Sequence, residues 1–362
     1  MAVDGFTLTD PESIEALDAV RSVAREALDR DADWKALAAA GLLALPVPEA
    51  HGGEGLGLPE VGVLLRETGA RALHLPVWET LCCGVLTLAA HGTDSQREAL
   101  LPGVASGDVL LTPALREVGR GLAESASDLA TTYDDGTVSG RKIAVTFADQ
   151  ARRLLVTARH GDDVVAVLVD PTGPGVTLLE STSSARLTTH TVVLEGAPAE
   201  LLQDGAAERL VHLATAGLAL TVAGVVAGAR DLTASYIKQR TQFGRTLAEF
   251  QAVAMQAADI YIGARTLDLA AENAAWRVSS GLDADDDLAV AAYWATTEAP
   301  RVLHICHHLH GGMGVDETYP LHHYFSWTKD VAHAFGTHAS DVPVEDAATK
   351  NLELTTSQRE LK

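Results

Sequence analysis

The chain has 362 residues, 47% of them hydrophobic, and its 49 Asp and Glu residues outnumber its 27 Lys and Arg residues, giving a formal net charge of −22. This length and apolar content suffice for a large buried core and exclude a disordered chain or a small disulfide scaffold. Because so acidic a surface repels nucleic-acid phosphates and anionic lipid headgroups, we expect neither nucleic acid nor membrane among its partners.

The first residues and the cysteines favour a soluble, cytoplasmic protein. The chain starts without the basic and then apolar run of a signal peptide, and no stretch approaches the roughly 20 uninterrupted apolar residues of a spanning helix. Cys82, Cys83 and Cys306 have the spacing of neither a disulfide framework nor a metal site, so we expect them to be buried.

Residues from about 10 to 101 are predicted to be helical. Asp10 suits the N-cap and Pro11 the first turn of a helix whose apolar residues recur at three- and four-residue steps. A second helix is predicted from Trp34 to Gly41, a typical C-terminal stop. The prolines and glycines of LPVPEAHGGEGLG predict a loop after it.

The pattern changes to short strands between about residues 109 and 201. Alternating or β-branched runs are separated by turn sequences, as in TVSGRKIAVTF, RRLLVTAR and DVVAVLVD. Long alanine-rich helices are then predicted from about residue 205, and a later one, kinked at Pro300, closes at Gly311 and Gly312.

Together these elements predict an α+β fold of three domains. An N-terminal helical domain is expected at residues 1–108, a middle β-barrel or β-sandwich domain at 109–204, and a C-terminal four-helix bundle at 205–362. An acidic chain of this kind can bind an anionic ligand only through a few local cations or backbone amides, which should be identifiable.

Three motifs in this order resemble the acyl-CoA dehydrogenase family, and the likeness covers nearly the whole chain. They are WKALAAAGLLALPVPEAHGGEGLGL, RTQFGRTLAEFQ and HLHGGMGVDETYP. Their spacing matches the family as well, since Gln251 follows Arg240 by 11 residues and His308 follows it by 68. The resemblance implies FAD as the cofactor, an acyl-CoA substrate and electron-transfer flavoprotein as the electron acceptor.

The same resemblance implies which residues contact the flavin. Arg240 would grip the diphosphate with a bidentate guanidinium, while Phe243 packs on the cofactor and Gln251 hydrogen-bonds it. The bare backbone of Gly311 and Gly312 would approach it closely. The alternatives are a solvated surface side chain for Arg240 and an ordinary core residue for Phe243.

His308 stands where the family's glycine-rich segment begins with Gln, and its imidazole can still donate a hydrogen bond to the cofactor. With His304, His307 and His310 it forms a histidine-rich helix, but no acidic ligand or HExxH-like base accompanies them, so we expect no metal.

Both family positions for the catalytic glutamate lack an acid here. The commoner one falls on Phe335, with Gly336 and Thr337 retained, and the rarer one, about 26 residues before Arg240, falls on Ala214. The catalytic residues of this chain therefore stay unassigned.

The flavin pocket of the β domain departs from the family too. The Trp-Ile-Thr that stacks on the isoalloxazine aligns with Ala144, Val145 and Thr146, so the large ring is missing. The usual Thr-Glu-Pro is replaced by LLTPALRE, in which the equivalence of Thr112 stays open.

Three hypotheses follow from the resemblance. In the first, this is the base-lacking subunit of a heteromer, similar to the actinobacterial α2β2 enzymes of sterol side-chain degradation, and it completes the flavin site of a base-bearing partner. In the second, a self-sufficient enzyme uses Glu208, Asp316 or Glu317 as its base. In the third, a scaffold homologue binds no flavin.

A site for the phosphates of coenzyme A is less clear in the sequence. Arg141, Lys142 and Arg186 are the candidates, although each is more often a surface charge.

Overall fold

The computed structural model describes residues 11–122 and 126–336, with the side chains of 14–122 and 127–336. Asp10 and Thr337, singled out in the sequence, lie outside these residues. The helices before the sheet are α1 (Pro11–Arg30), α2 (Trp34–Ala39), α3 (Leu58–Ala70), α4 (Leu86–His91) and α5 (Asp94–Ala105), with a π-helix at Val77–Val85 that runs directly into α4.

Local hydrogen bonds explain where these helices begin and how the loop after α2 is held. Oδ1 of Asp33 accepts from the Ala36 N–H at 2.8 Å and so caps α2. Thr93 and Gln96 form a capping box at the start of α5. The glycine-rich loop is ordered, because its Leu56 N–H donates to the Leu45 carbonyl at 2.8 Å.

The middle strands close into a barrel. They are β1 (Leu111–Ala114), β2 (Thr132–Asp134), β3 (Thr137–Thr146), β4 (Arg153–His160), β5 (Asp163–Val169), β6 (Val176–Thr182) and β7 (Thr188–Leu201). The order β1-β4-β2-β3-β7-β5 is closed by a pairing of β4 with β5, while β6 pairs with β7. Valines and leucines such as Val138, Val145 and Leu154 fill a core separate from that of the helices.

The helices after the barrel form the predicted bundle. They are α6 (Ala206–Gln239), α7 (Gln251–Ser279), α8 (Asp285–Tyr293), α9 (Ala299–His310) and α10 (Leu321–Phe335), with a two-stranded hairpin of β8 (Thr241–Gln242) and β9 (Arg245–Thr246) after α6. The predicted kink at Pro300 takes another form: a π-helical turn, Trp294–Glu298, separates α8 from α9, and Pro300 lies in the first turn of α9, where its missing N–H costs least.

Helix α6 is the centre of the molecule and contacts α3, α7, α9 and α10. A Cβ atom on Gly224 would lie 2.3 Å from the Arg66 carbonyl oxygen, and one on Gly228 would lie 2.1 Å from that of Ala70. Glycine at these two positions therefore lets α6 and α3 pack backbone to backbone.

The expectation that no segment is long and apolar enough to cross a membrane was wrong for α6. This helix passes that test by length and composition, but 83% of its apolar stretch is buried inside the fold. A helix surrounded by protein on nearly all sides is apolar all round, which gives α6 the composition of a spanning helix.

Candidate functional site

The end of α6 presents Arg240 and the hairpin that follows. The Arg240 N–H donates to the Tyr236 carbonyl at 2.8 Å, and the Arg240 carbonyl accepts from the Leu247 N–H at 2.9 Å. Phe243 and Gly244, at the hairpin tip, have φ angles of 52° and 81°, as a primed two-residue turn requires. That turn leaves the Phe243 ring 92% exposed, which contradicts the alternative that it is a core residue.

The glycine-rich segment lies beside the last turns of α6. The Tyr236 hydroxyl donates to the His310 carbonyl at 3.4 Å, and the two rings stack with centroids 4.3 Å apart. A Cβ atom on Gly311 or Gly312 would meet nothing within 4 Å, so both glycines border open space. The fold thus brings the neighbourhood of Arg240 and the glycines to one end of the bundle.

The residues predicted from the sequence to contact the flavin all have exposed side chains or backbone: Arg240, Phe243, Gln251, His308, Gly311 and Gly312. Within the described ranges, the Arg240 guanidinium has no hydrogen-bond or ion-pair partner. A free guanidinium at the same end of the bundle as open glycine backbone has the chemistry to hold a diphosphate that approaches from outside the chain.

The two family positions for a catalytic base are apolar and packed. Phe335 ends α10 and is 7% exposed, while Ala214 is fully buried in α6. The Ala214 carbonyl accepts from the Trp78 indole N–H at 2.9 Å. Neither position offers a carboxylate.

The other candidate bases lie on the surface. Glu208 is exposed in the first turn of α6. Asp316 accepts from the Thr318 N–H at 2.8 Å, and Glu317 forms an ion pair with Arg186 at 3.0 Å. None of these three acids lines the partly open cavity between the N-terminal helices, the barrel and the bundle.

That cavity, of about 470 Å³, lies between α3, the π-helix, the barrel, α6 and α10. Ala144 and Thr146 of the altered flavin pocket line it, whereas Val145 points into the barrel core. Ala144 has a φ of 53° at a break in the β3 register. This irregularity lets its sequence neighbours face opposite ways, Ile143 towards the cavity and Val145 towards the barrel core. Thr112 is buried, and its hydroxyl donates to the Thr146 carbonyl at 2.8 Å.

Glu79, which the sequence reasoning missed, places a carboxyl group in this cavity. The Thr146 hydroxyl donates to its Oε1 at 2.6 Å, and burial raises the pKa of Glu79 to about 7. An acid in the middle of the apolar run VWETLCCGV was the signal that could have identified it. A carboxyl group with a pKa near neutrality can exchange protons at physiological pH.

The buried carboxyl group makes stability depend on pH. The pKa of Glu79 is about 7 in the folded chain and near its usual 4.5 in the unfolded chain. Its stabilising contribution to the free energy of unfolding is therefore complete below pH 4.5 and is lost as the pH rises through 7. This rise in pKa corresponds to about 3 kcal/mol in the free energy of unfolding.

We therefore expect Glu79→Gln to raise the free energy of unfolding by up to about 3 kcal/mol at pH 8 and to change it little near pH 4.5. The Gln oxygen still accepts from Thr146. Urea unfolding at the two pH values measures the difference, and Glu98→Gln, at an exposed position of α5, is the control. The same change at both pH values would contradict the expectation.

The suggestion that Lys142 binds a phosphate of coenzyme A was wrong. Lys142 is fully buried, and its Nζ donates to Glu117 at 2.8 Å, to the Leu115 carbonyl at 3.2 Å and to the Thr157 hydroxyl at 3.3 Å. Of the other candidates, Arg186 pairs with Glu317, and Arg141 is exposed.

The histidines of α9 contact aromatic rings. His304 and His307 pack on Phe325 with ring centroids 5.0 and 4.7 Å apart, and Nε2 of His310 hydrogen-bonds the Tyr319 hydroxyl at 3.1 Å. Among the residues with described side chains, no group of three or more His, Cys, Asp or Glu is arranged to hold a metal ion. The three cysteines are buried and free, as expected.

Comparison with known protein families gives two matches. The sequence profile described as acyl-CoA dehydrogenase, N-terminal domain, matches residues 12–108, and that described as acyl-CoA dehydrogenase, C-terminal domain, matches residues 205–341. The chain is also 44% identical over 321 residues to the acyl-CoA dehydrogenase FadE28 of Mycobacterium tuberculosis, covering 88% of this chain and 92% of that protein.

Solved structures give the same picture. The chain resembles one titled "Tcur3481-Tcur3483 steroid ACAD G363A variant" with a TM-score of 0.86 and 34% identity, over 94% of this chain and 99% of that one. It resembles a chain of the ChsE4-ChsE5 complex from Mycobacterium tuberculosis with a TM-score of 0.81 and 28% identity, over 89% of this chain and 93% of that one.

Proposed function

The chain belongs to the acyl-CoA dehydrogenase family, and from that membership we propose that it completes the flavin site of a different, base-bearing subunit in a heteromeric enzyme. The family consists of oxidoreductases that act on CH–CH donors, and FAD is its cofactor. The proposal has to explain two observations together. The two family positions for the base, Phe335 and Ala214, carry no acid, and Arg240 faces outward.

One contrast carries the proposal. The residues that would serve a flavin seated in a neighbouring chain are kept and exposed, with Arg240 unpaired among the described residues and Gly311 and Gly312 open. The positions that would serve the chain's own chemistry carry Phe335, Ala214 and Ala144. If the chain had lost all flavin chemistry, we would not expect these exposed residues to be kept while the interior positions are lost.

Each of the six residues predicted to contact the flavin has a part in the proposed shared site. Arg240 neutralises the diphosphate and orients it by paired hydrogen bonds, and the backbone of Gly311 and Gly312 comes close to the cofactor. Phe243 shields the cofactor from water, and the side chains of Gln251 and His308 donate hydrogen bonds to it. When bound, FAD supplies the acceptor for the β-hydrogen of the substrate, while the partner's carboxylate takes the α-proton.

The related structures support a second subunit. One is the ChsE4-ChsE5 complex, and the other is a variant of the Tcur3481-Tcur3483 steroid ACAD, so each is named as a pair of proteins. We extend this to the present chain: its partner is an acyl-CoA dehydrogenase-like subunit with the catalytic glutamate, and the substrate is a steroid side-chain acyl-CoA. The proposal also includes electron-transfer flavoprotein as the electron acceptor. It places the enzyme in the cytoplasm.

A self-sufficient flavoenzyme is the second candidate function, and Glu79 is the observation that favours it. Its carboxyl group lies in the cavity and has a pKa of about 7, so it could act as a relocated base. In that case Glu79→Gln would abolish dehydrogenation by the chain alone.

Expression of the chain alone and together with an adjacent acyl-CoA dehydrogenase gene product separates the two functions. We expect the chain alone to show no flavin absorption near 450 nm and no dehydrogenase activity, and the co-purified pair to be yellow and active. A yellow, active chain without a partner would overturn the proposal in favour of Glu79. If no flavin bound in either preparation, both would fail and the chain would be a scaffold homologue.

A further inference from the structure

Arg116 is a cation in the wall of the partly open cavity, and it takes no part in the proposed flavin site. It follows β1, and its carbonyl accepts from the Ile143 N–H of β3 at 2.9 Å. Its Nε atom is buried without a hydrogen-bond partner. The rest of its guanidinium also lacks a hydrogen bond or ion pair to any residue with a described side chain.

Asp330 acts on this guanidinium electrostatically but does not pair with it. Asp330 also lines the cavity, but its carboxylate accepts from the Ser184 N–H at 2.9 Å and the Ala185 N–H at 3.0 Å, and it forms no ion pair with Arg116. Burial lowers the pKa of Arg116, and the Asp330 carboxylate offsets this only in part, which reflects the cost of holding the charge there. A half-buried cation left unpaired costs stability, whereas an anion bound in the cavity would satisfy it.

The cavity around Arg116 is lined by large apolar side chains as well as polar ones, and it holds further unused nitrogen atoms. Leucines and Trp78 supply much of the lining. His74 stacks on Trp327 with centroids 4.5 Å apart and planes 3° from parallel, and the Trp327 Nε1 and His74 Nδ1 atoms are both buried without partners. The cavity thus combines a hydrocarbon surface with unsatisfied donors at Arg116 and Trp327, which suits a ligand with one oxygen-rich anionic end.

We propose that this cavity binds an apolar carboxylic acid as its anion, with the carboxylate on Arg116 and the hydrocarbon body against the leucines and tryptophans. A carboxylate matches a single planar guanidinium in charge and geometry. A phosphate or diphosphate would bring two or more negative charges to one cation that has the Asp330 carboxylate as a neighbour. The site differs in ligand from a CoA thioester site, because the acid group itself is what Arg116 recognises.

Titration of tryptophan fluorescence in the full chain tests this proposal, with decanoate as the probe and decanol as the uncharged probe of equal length. The copurified complex is used in the same way if the chain needs its partner to stay soluble. We expect decanoate to bind at least 10-fold more tightly than decanol, and Arg116→Leu to weaken decanoate 10- to 100-fold while leaving decanol unchanged. Arg116→Lys should keep part of the preference.

Arg141→Leu is the matched control, because Arg141 is an exposed arginine on the adjoining β3 and does not line the cavity. Circular dichroism confirms that each variant is folded. No binding of decanoate, equal binding of decanol, or an Arg116→Leu variant that binds decanoate as the wild type does would each overturn the proposal. Arg116-dependent binding of pyrophosphate in place of decanoate would do so too. Because FAD is not measured, failure here leaves the proposed function untouched.

Discussion

Arg240→Ala is expected to lower the FAD content of the complex while leaving this chain folded. The guanidinium is exposed and has no partner among the described side chains, so its loss removes nothing from the fold. A charge-assisted hydrogen bond is worth about 1.5–3 kcal/mol, which corresponds to a 10- to 100-fold weaker affinity for FAD. Dehydrogenase activity should fall with FAD occupancy and recover partly when FAD is added in excess.

Lys238→Ala is the control for this experiment, because Lys238 is exposed in the last turn of the same helix but is not part of the family motif. It should bind FAD as the wild type does. Equal FAD affinity in the Arg240→Ala and wild-type complexes, measured by titration of the deflavinated protein, would remove Arg240 from the site. An equal loss in both variants would point to general charge rather than to a specific contact.

Lys142→Met is expected to cause a large loss of stability, because it breaks a buried ion pair of the barrel. The substitution leaves the Glu117 carboxylate, which is 5% exposed, without its cation, although Glu117 still accepts from the Ala130 and Thr131 N–H groups at 2.7 and 3.0 Å. Removing one partner of a buried ion pair costs about 3–5 kcal/mol. Urea unfolding, followed by circular dichroism, measures this loss.

Two further variants test whether the pair itself is responsible. Arg141→Met changes the exposed neighbour and should alter the free energy of unfolding by less than about 0.5 kcal/mol. Lys142→Met combined with Glu117→Gln should recover part of the loss, because no uncompensated charge stays buried and the Gln oxygen still accepts backbone hydrogen bonds. A Lys142→Met variant as stable as wild type would show that the ion pair contributes nothing.

The helical and β regions could be predicted from periodicity because their core faces are continuous. In α6 and α7 apolar residues recur over many turns, and in the barrel β4 and β5 carry unbroken runs of buried residues rich in valine and leucine. The π-helix at Val77–Val85 and the π turn before Pro300 could not be predicted in this way. Each depends on how neighbouring helices pack and not on a local pattern.

Lys142 shows how an alternating pattern can be overlooked. It follows the buried Val138 of β3 by four residues, which is two full periods of a strand. The period of two therefore already placed Lys142 on the inward face of the barrel. The charge of its side chain suggested the surface, but the decisive partner, Glu117, is 25 residues earlier and is brought near by the fold. Burial of a cation depends on such long-range pairing, which one sequence does not display.

The candidate site also contains residues that the sequence could predict and residues that only the fold brings to light. The residues from Arg240 to Gly312 are predicted to contact the flavin from motifs with fixed spacing, and that prediction uses no coordinates. Glu79 and Arg116 could be recognised only from the fold, which forms a cavity between elements far apart in the chain. Their chemistry comes from burial, which raises the pKa of Glu79 and leaves the Arg116 Nε unpaired.

The FAD-to-chain ratio of the purified heteromeric complex tests the shared flavin site most directly. FAD released by denaturation is quantified by absorbance, and the two chains are quantified by amino-acid analysis. If this chain completes only its partner's site and has lost its own, the complex holds one FAD for every two chains, and the chain alone holds none. One FAD per chain, or FAD retained by this chain alone, would contradict the account.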